Sequence, residues 1–251
     1  MRILFFFSIL VFQFITGFAQ NSGIRDTSAI YDEKMRPALV VNLEADDIKQ
    51  FKKYVKSYFK DKYKLKFETP KQYFVAREIV IQDISSKEID CIIEAKPRNT
   101  TEMSFLIFMR FGYDFYINES EYPNEYSAFR NLVRLFGKNY LTDFYKEKLE
   151  MHTKALEKAK KEKSKLLKIN RKLTKTTQRN DKKIYKLQKK DGSTPEKLQK
   201  IQTKVATLST TNATNRETLA NNDERVAVLQ QEILKHSTEI SQIQEKINRI
   251  Q

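Results

Sequence analysis

Residues 198–250 read LQKIQTKVATLSTTNATNRETLANNDERVAVLQQEILKHSTEISQIQEKINRI. Leu198, Ile201, Val205, Leu208, Asn212, Asn215, Leu219, Asn222, Val226, Leu229, Ile233, His236, Ile240, Ile243, Ile247 and Ile250 recur at alternating spacings of three and four. Twelve of these sixteen are apolar, which puts one narrow stripe on an α-helix and demands a partner helix. Upstream, Tyr145, Leu149, Leu156, Ala159, Leu166, Leu173, Ile184 and Leu187 carry a second seam. Between them Asp191-Gly192-Ser193-Thr194-Pro195 supplies a helix stop, a capping residue and a first-turn proline. The spacing predicts an antiparallel helical hairpin over 138–251 with its turn at 191–195.

Placing Leu187 opposite Leu198 sets a trial register. It puts Asn170 opposite Asn215, Ile184 opposite Ile201, Asn180 opposite Val205, Leu173 opposite Asn212 and Lys163 opposite Asn222. A buried Asn facing another Asn satisfies its amide and fixes alignment, so Asn170 and Asn215 are the expected register residues. His152 and His236, the chain's two histidines, fall on the seam in adjacent layers, opposite Ile233 and Leu149. A metal site or pH switch is the alternative, but without a nearby seam carboxylate they make a weak ligand set and are read as tolerated seam residues. The register also returns Ile247 and Ile250 to Lys138 and Leu135.

The hairpin follows a different kind of sequence. Ala38 to Leu43 is a short β-rich run, and Asp46 can cap a helix carrying Ile48, Phe51, Val55, Tyr58 and Phe59. Tyr63–Phe67, Tyr73–Ile81, Ile89–Ala95, Met103–Phe111 and Tyr113–Ile117 read as strands with short connections, which favours antiparallel pairing. A helix begins near Pro123, and Tyr126, Phe129, Leu132, Val133 and Phe136 would cover the sheet. The expected class is α+β: a two-layer antiparallel-sheet domain over 36–137, then the coiled-coil hairpin. Residues 20–35 are polar and aperiodic and read as a flexible leader.

Met1-Arg2, the apolar run Ile3 to Phe18, and small residues at Gly17 and Ala19 read as a signal peptide over 1–19, cleaved after Ala19. The expectation is a periplasmic or secreted protein with no membrane span after cleavage. Cys91 is the single cysteine and lies in a strand-like run, so it reads as a small buried hydrophobe.

Charge is unevenly placed. Residues 20–145 hold 20 Lys/Arg against 19 Asp/Glu, and 196–251 hold 8 against 7, while 146–190 hold 18 against 5. Nearly all of the net +15 therefore rides on one helical arm. Lys154, Lys158, Lys160, Lys161, Lys163, Lys165, Lys168, Arg171, Lys172 and Lys175 are the candidate contacts for an anionic partner. Nucleic acid is disfavoured by the signal peptide and by the single aromatic of that arm, Tyr185. No Gly-rich phosphate loop, metal-spaced Cys/His set or histidine base appears in residues 36–137. No catalytic residue, cofactor or metal ligand is assigned.

Arg36 to Ala45, Ile84 to Asp90 and the helical tail resemble an uncharacterised group of secreted Bacteroidetes proteins. That resemblance implies no activity. The signal peptide, small β-containing body and basic helical hairpin are also similar in architecture to periplasmic holdases of the Skp/OmpH type, although here the body precedes both arms. The expectation is a non-enzymatic interaction or structural protein presenting a basic arm to an anionic envelope component, with homo-oligomers in view. The alternative is a holdase gripping client proteins, and a more remote one an enzyme with its site in the α+β domain.

Overall fold

A computed structural model describes residues 23–70, 72–190 and 194–250. The expected signal peptide and the tip of the expected turn, 191–193, lie outside them. The element order is β1 Arg25–Tyr31, β2 Lys34–Glu44, α1 Ile48–Tyr63, β3 Tyr73–Ile79, β4 Ile89–Pro97, β5 Glu102–Arg110, α2 Pro123–Gln188 and α3 Pro195–Ile250. Two compact units result. One takes the residues to Phe144 together with Arg249 and Ile250, and the other is Tyr145–Asn248. Gly137 does not interrupt α2.

The sheet is wholly antiparallel in the order β1-β2-β5-β4-β3. One face carries Leu39, Val41, Leu43, Ile93, Phe105 and Ile107, all buried, because alternate residues of a strand share a side. Phe51, Val55 and Phe59 of α1 and Phe129, Leu132, Val133 and Phe136 of α2 are buried with them, the latter four as expected. Phe136 is the hub of this layer. Its ring stacks on Phe105 at 4.3 Å and on Phe59 at 5.7 Å, and meets Tyr58 at 5.1 Å.

The opposite face has a smaller core of Ala38, Val75, Ile92, Leu106, Phe108 and Tyr116. It is closed by the sheet's own edges. Tyr31 of β1 meets Tyr73 of β3 edge-on at 5.2 Å, and Tyr73 Oη donates to the Ile30 carbonyl at 3.4 Å. A sheet coiled far enough to bring its two edge strands together buries apolar side chains on both faces.

Four local expectations differ from the structure. The leader ends earlier than expected, because Arg25–Tyr31 pairs with β2 from Arg25↔Val40 to Tyr31↔Lys34. The connecting residues Asp32 and Glu33 both have positive φ, 52° and 62°, as a two-residue hairpin requires. Such turns are usually announced by Asn-Gly, so Asp-Glu conceals this one. Tyr63–Phe67 is not a strand. The helix runs through Tyr63, and Lys64 ends it in the left-handed region at φ 58°, its N–H bonded to the Phe59 carbonyl. The N-cap of α1 is Asp47, whose carboxylate accepts from the Lys49 N–H at 2.8 Å, rather than Asp46. Tyr113–Ile117 contributes only a bridge, Tyr116 to Arg110.

A bulge between Ala76 and Ile79 is stapled by Asp90. One carboxylate oxygen accepts from the Glu78 N–H at 3.1 Å and the other from Arg110 Nε at 2.9 Å. Glu78, at φ 52°, owes its strained backbone to this bulge.

Candidate functional site: a cationic stripe on the helical hairpin

In the hairpin unit, α2 and α3 pack along the expected seam. From Ile201 to Ile250 each α3 seam position is buried or half-buried, while Leu198 is 47% exposed. The register is not the trial one. Asn170 Oδ1 accepts from Asn222 Nδ2 at 2.7 Å, and Asn180 Nδ2 donates to Asn212 Oδ1 at 3.0 Å. Asn215 Nδ2 donates to Thr177 Oγ1 at 3.3 Å, so the expected Asn170–Asn215 pair does not form. Each of these three layers is displaced by one heptad from the trial register. That displacement leaves the apolar stripe unchanged, because the stripe repeats every seven residues. It changes the polar layers, and three of them now match polar with polar. By the same spacing Leu187 lies opposite Val205, which explains why Leu198 is left exposed. Matching the asparagines across every heptad-related register would have found this alignment.

The ladder is reinforced from its rim. Asp223 accepts from Asn170 Nδ2 at 2.7 Å, and Asp181 accepts from Asn212 Nδ2 at 2.6 Å. Asn212 is 2% exposed, and its amide is satisfied by these partners.

The candidate cations divide by face. Lys154, Lys158, Lys161, Lys165, Lys168, Lys172 and Lys175 are all exposed and lie two residues after successive seam positions. Two residues rotate about 200° round an α-helix, so this row points away from α3. Arg179, Lys182 and Lys186 continue it at the same alternation of four and three; charge density alone does not single them out, whereas their phase relative to the seam does. Lys160 and Arg171 are exposed on the flank. Lys163 belongs to the seam: it is half-buried and donates to Gln230. Among the described residues a single ion pair touches the row, Lys154 with Glu150.

The corresponding outer row of α3 opens with Lys200 and is then neutral for four positions. Thr203, Thr207, Thr210 and Thr214 occupy it, and the hydroxyls of Thr203, Thr207 and Thr214 donate to the carbonyls four residues earlier. The two arms of one hairpin thus present unlike faces.

The seam histidines do not face Ile233 and Leu149. They meet each other, Nδ1 to Nδ1 at 3.0 Å, both half-buried.

In the sheet unit a cavity of about 730 Å³ is lined by Asp26, Ser28, Pro37, Leu39, Tyr126 and Phe129, among others. Its Asp26 carboxylate is occupied. Tyr126 donates to one Asp26 oxygen, Arg130 Nη1 donates to the other at 2.9 Å, and Arg130 Nη2 donates to the Ile24 carbonyl at 3.0 Å. Burial and the Asp26 carboxylate hold the Tyr126 hydroxyl above its usual titration range. This trio clamps β1 to the start of α2. A second cavity is lined by Arg130, Arg134, Lys138 and Leu141 with Arg249 and Ile250. Among the described residues two buried side-chain polar atoms lack a partner, Arg36 Nε and Tyr116 Oη, and the Arg36 guanidinium lies 5.0 Å over the Tyr116 ring.

Among the described residues no group of three or more His, Cys, Asp or Glu is arranged to hold a metal ion, and no helix is long and apolar enough to cross a membrane. No family model, curated protein or solved structure matches the chain.

Proposed function

We propose that the protein is a non-enzymatic interaction protein of the cell envelope or its exterior, whose hairpin offers a cationic rail to an extended anionic partner. The observation that carries this reading is the single-faced row of ten cations from Lys154 to Lys186. At about 1.5 Å per residue it extends roughly 48 Å.

Like charges three and four residues apart on a helix repel by ~0.2–0.5 kcal/mol per pair. A face kept merely soluble is usually built from mixed signs, which would relieve that repulsion. Here Glu150, Glu157 and Glu162 stand three or four residues from Lys154, Lys158, Lys161 and Lys165, while no acidic residue stands so near the row from Lys168 to Lys186. The row lies opposite the seam, so an anion can bind it without disturbing hairpin packing. Acidic polysaccharides, phosphorylated lipid head groups and acidic stretches of client proteins share the needed chemistry, which is a line of negative charges. Such a surface gathers partners by long-range attraction that salt screens.

Heparin affinity chromatography of the chain from Gln20 onward tests the reading. The variant Lys161→Gln/Lys165→Gln/Lys168→Gln/Lys172→Gln is compared with Lys197→Gln/Lys200→Gln/Lys204→Gln/Lys235→Gln, which removes the same charge from exposed positions of α3. The α2 variant should elute at clearly lower salt than the α3 variant. Equal losses would mean that net charge alone governs binding, and the rail would have no specific role.

A further inference from the structure

The hairpin unit holds a feature that neither its packing nor its cationic row uses. His152 on α2 and His236 on α3 direct their Nδ1 atoms at each other across the seam, 3.0 Å apart, with ring centroids at 5.3 Å and planes tilted by 57°. We propose that the two imidazoles form a clamp for one divalent late transition metal ion, Cu(II) or Ni(II), which staples the two helices.

Donor type and spacing point to the ion. Imidazole nitrogens bind such metals at about 2.0–2.1 Å. Two nitrogens 3.0 Å apart at that bond length subtend about 95° at the metal. That angle suits neighbouring corners of a square-planar or tetragonal centre, the arrangement Cu(II) and Ni(II) take with nitrogen and oxygen donors. A tetrahedral ion would need the nitrogens only a few tenths of an ångström further apart, so the preference rests on the affinity order of imidazole donors, in which Cu(II) stands highest. Both rings now aim Nδ1 along the Nδ1–Nδ1 line, so to hold an ion beside that line each ring turns its lone pair by roughly 40–45°, as the bond length requires, and water would fill the positions that the protein does not.

Protons balance. A neutral pair in contact through Nδ1 carries one proton between the rings, with one nitrogen donating and the other accepting. Metal binding needs both Nδ1 lone pairs. The shared proton therefore transfers through solvent to the Nε2 of the ring that held it, and both rings remain neutral.

The clamp joins positions 84 residues apart in the chain. An ion held by both arms binds the zipped hairpin and not the separated helices, so it stabilises the hairpin by mass action.

The chain is well suited to a clean test, because these are its two histidines and its single cysteine, Cys91, is fully buried. The chain from Gln20 onward, without an affinity tag, is titrated with CuCl₂ and followed by isothermal titration calorimetry and by electron paramagnetic resonance. One Cu(II) per chain should bind, with hyperfine structure from two equivalent imidazole nitrogens. The melting temperature should rise to a plateau at one equivalent. His152→Gln and His236→Gln, each keeping a polar seam residue, should each weaken binding at least tenfold and leave one imidazole nitrogen in the spectrum. Circular dichroism confirms that each variant is helical. If either variant is folded and binds Cu(II) as tightly as the parent chain, or if the parent spectrum lacks the two-nitrogen pattern, the clamp is overturned.

Discussion

Asn180 and Asn212 are buried against each other at the hairpin seam, with Asn180 Nδ2 donating to Asn212 Oδ1 at 3.0 Å. An amide buried without a partner costs about 1–3 kcal/mol. Matched amides avoid that penalty, whereas an asparagine facing Val205 or Leu173 would incur it. Apolar contacts hold the helices together, and the polar layers choose among alignments that those contacts leave nearly equivalent.

Cysteine pairs read the alignment directly. Asn170→Cys with Asn222→Cys should form an intramolecular disulfide under mild oxidation, detected as a gel-mobility shift independent of protein concentration. Asn170→Cys with Asn215→Cys should not. The native Cys91 is too deeply buried to compete. Adding Asn180→Leu and Asn212→Leu should let the 170–215 pair gain crosslinking, because the seam would then lose its central polar layer. Preferential closure of 170–215 in the unaltered seam would contradict the observed register.

The aromatic layer sets the stability of the sheet unit. Phe136 is fully buried between α1, β5 and its own helix. Phe136→Ala removes a ring that contacts Phe51, Phe59, Phe105 and Tyr140. A loss of about 3–5 kcal/mol is expected in urea unfolding monitored by near-ultraviolet circular dichroism. A change under 1 kcal/mol would show that the layer repacks around the gap.

Cys91 should be inert in the native protein. Burial, and secondarily the neighbouring Asp90, pushes its thiol well above the ordinary range, so the nucleophilic thiolate does not form at neutral pH. Modification by a water-soluble aromatic disulfide should proceed only as fast as the sheet unit opens. In the unfolded chain the thiol ionises near its usual value. As pH rises through that value the unfolded state gains relative to the folded one, so Cys91 contributes a loss of stability on the alkaline side. Rapid native-state labelling at pH 7 would contradict this.

Much of the architecture is legible without coordinates, and the misreadings have physical causes. The α3 seam is identified residue by residue, because period 3.5 sustained over fifty residues has few explanations. The buried cover of Phe129, Leu132, Val133 and Phe136 is equally plain. The β1–β2 hairpin is hidden because its turn lacks glycine and asparagine and its edge strand carries Asp26, Thr27 and Ser28. Tyr63–Phe67 alternates like a strand, yet α1 extends through Tyr63, whose ring lies 5.9 Å from that of Phe59. As for the cationic row, its residue types are obvious and its extent is not. Separating seven of the ten candidates from Lys160, Lys163 and Arg171 requires knowing which way the seam faces.

By itself the sequence determined that two long helices must zip, which side of each is buried, and that one arm carries the charge. Those properties follow from local periodicity and composition. Only tertiary structure decided which asparagine meets which, that His152 touches His236, and that Tyr31 reaches Tyr73 across a coiled sheet. A seven-residue repeat slid by seven residues looks the same to its apolar stripe, so its alignment depends on hydrogen bonds between residues distant in the chain.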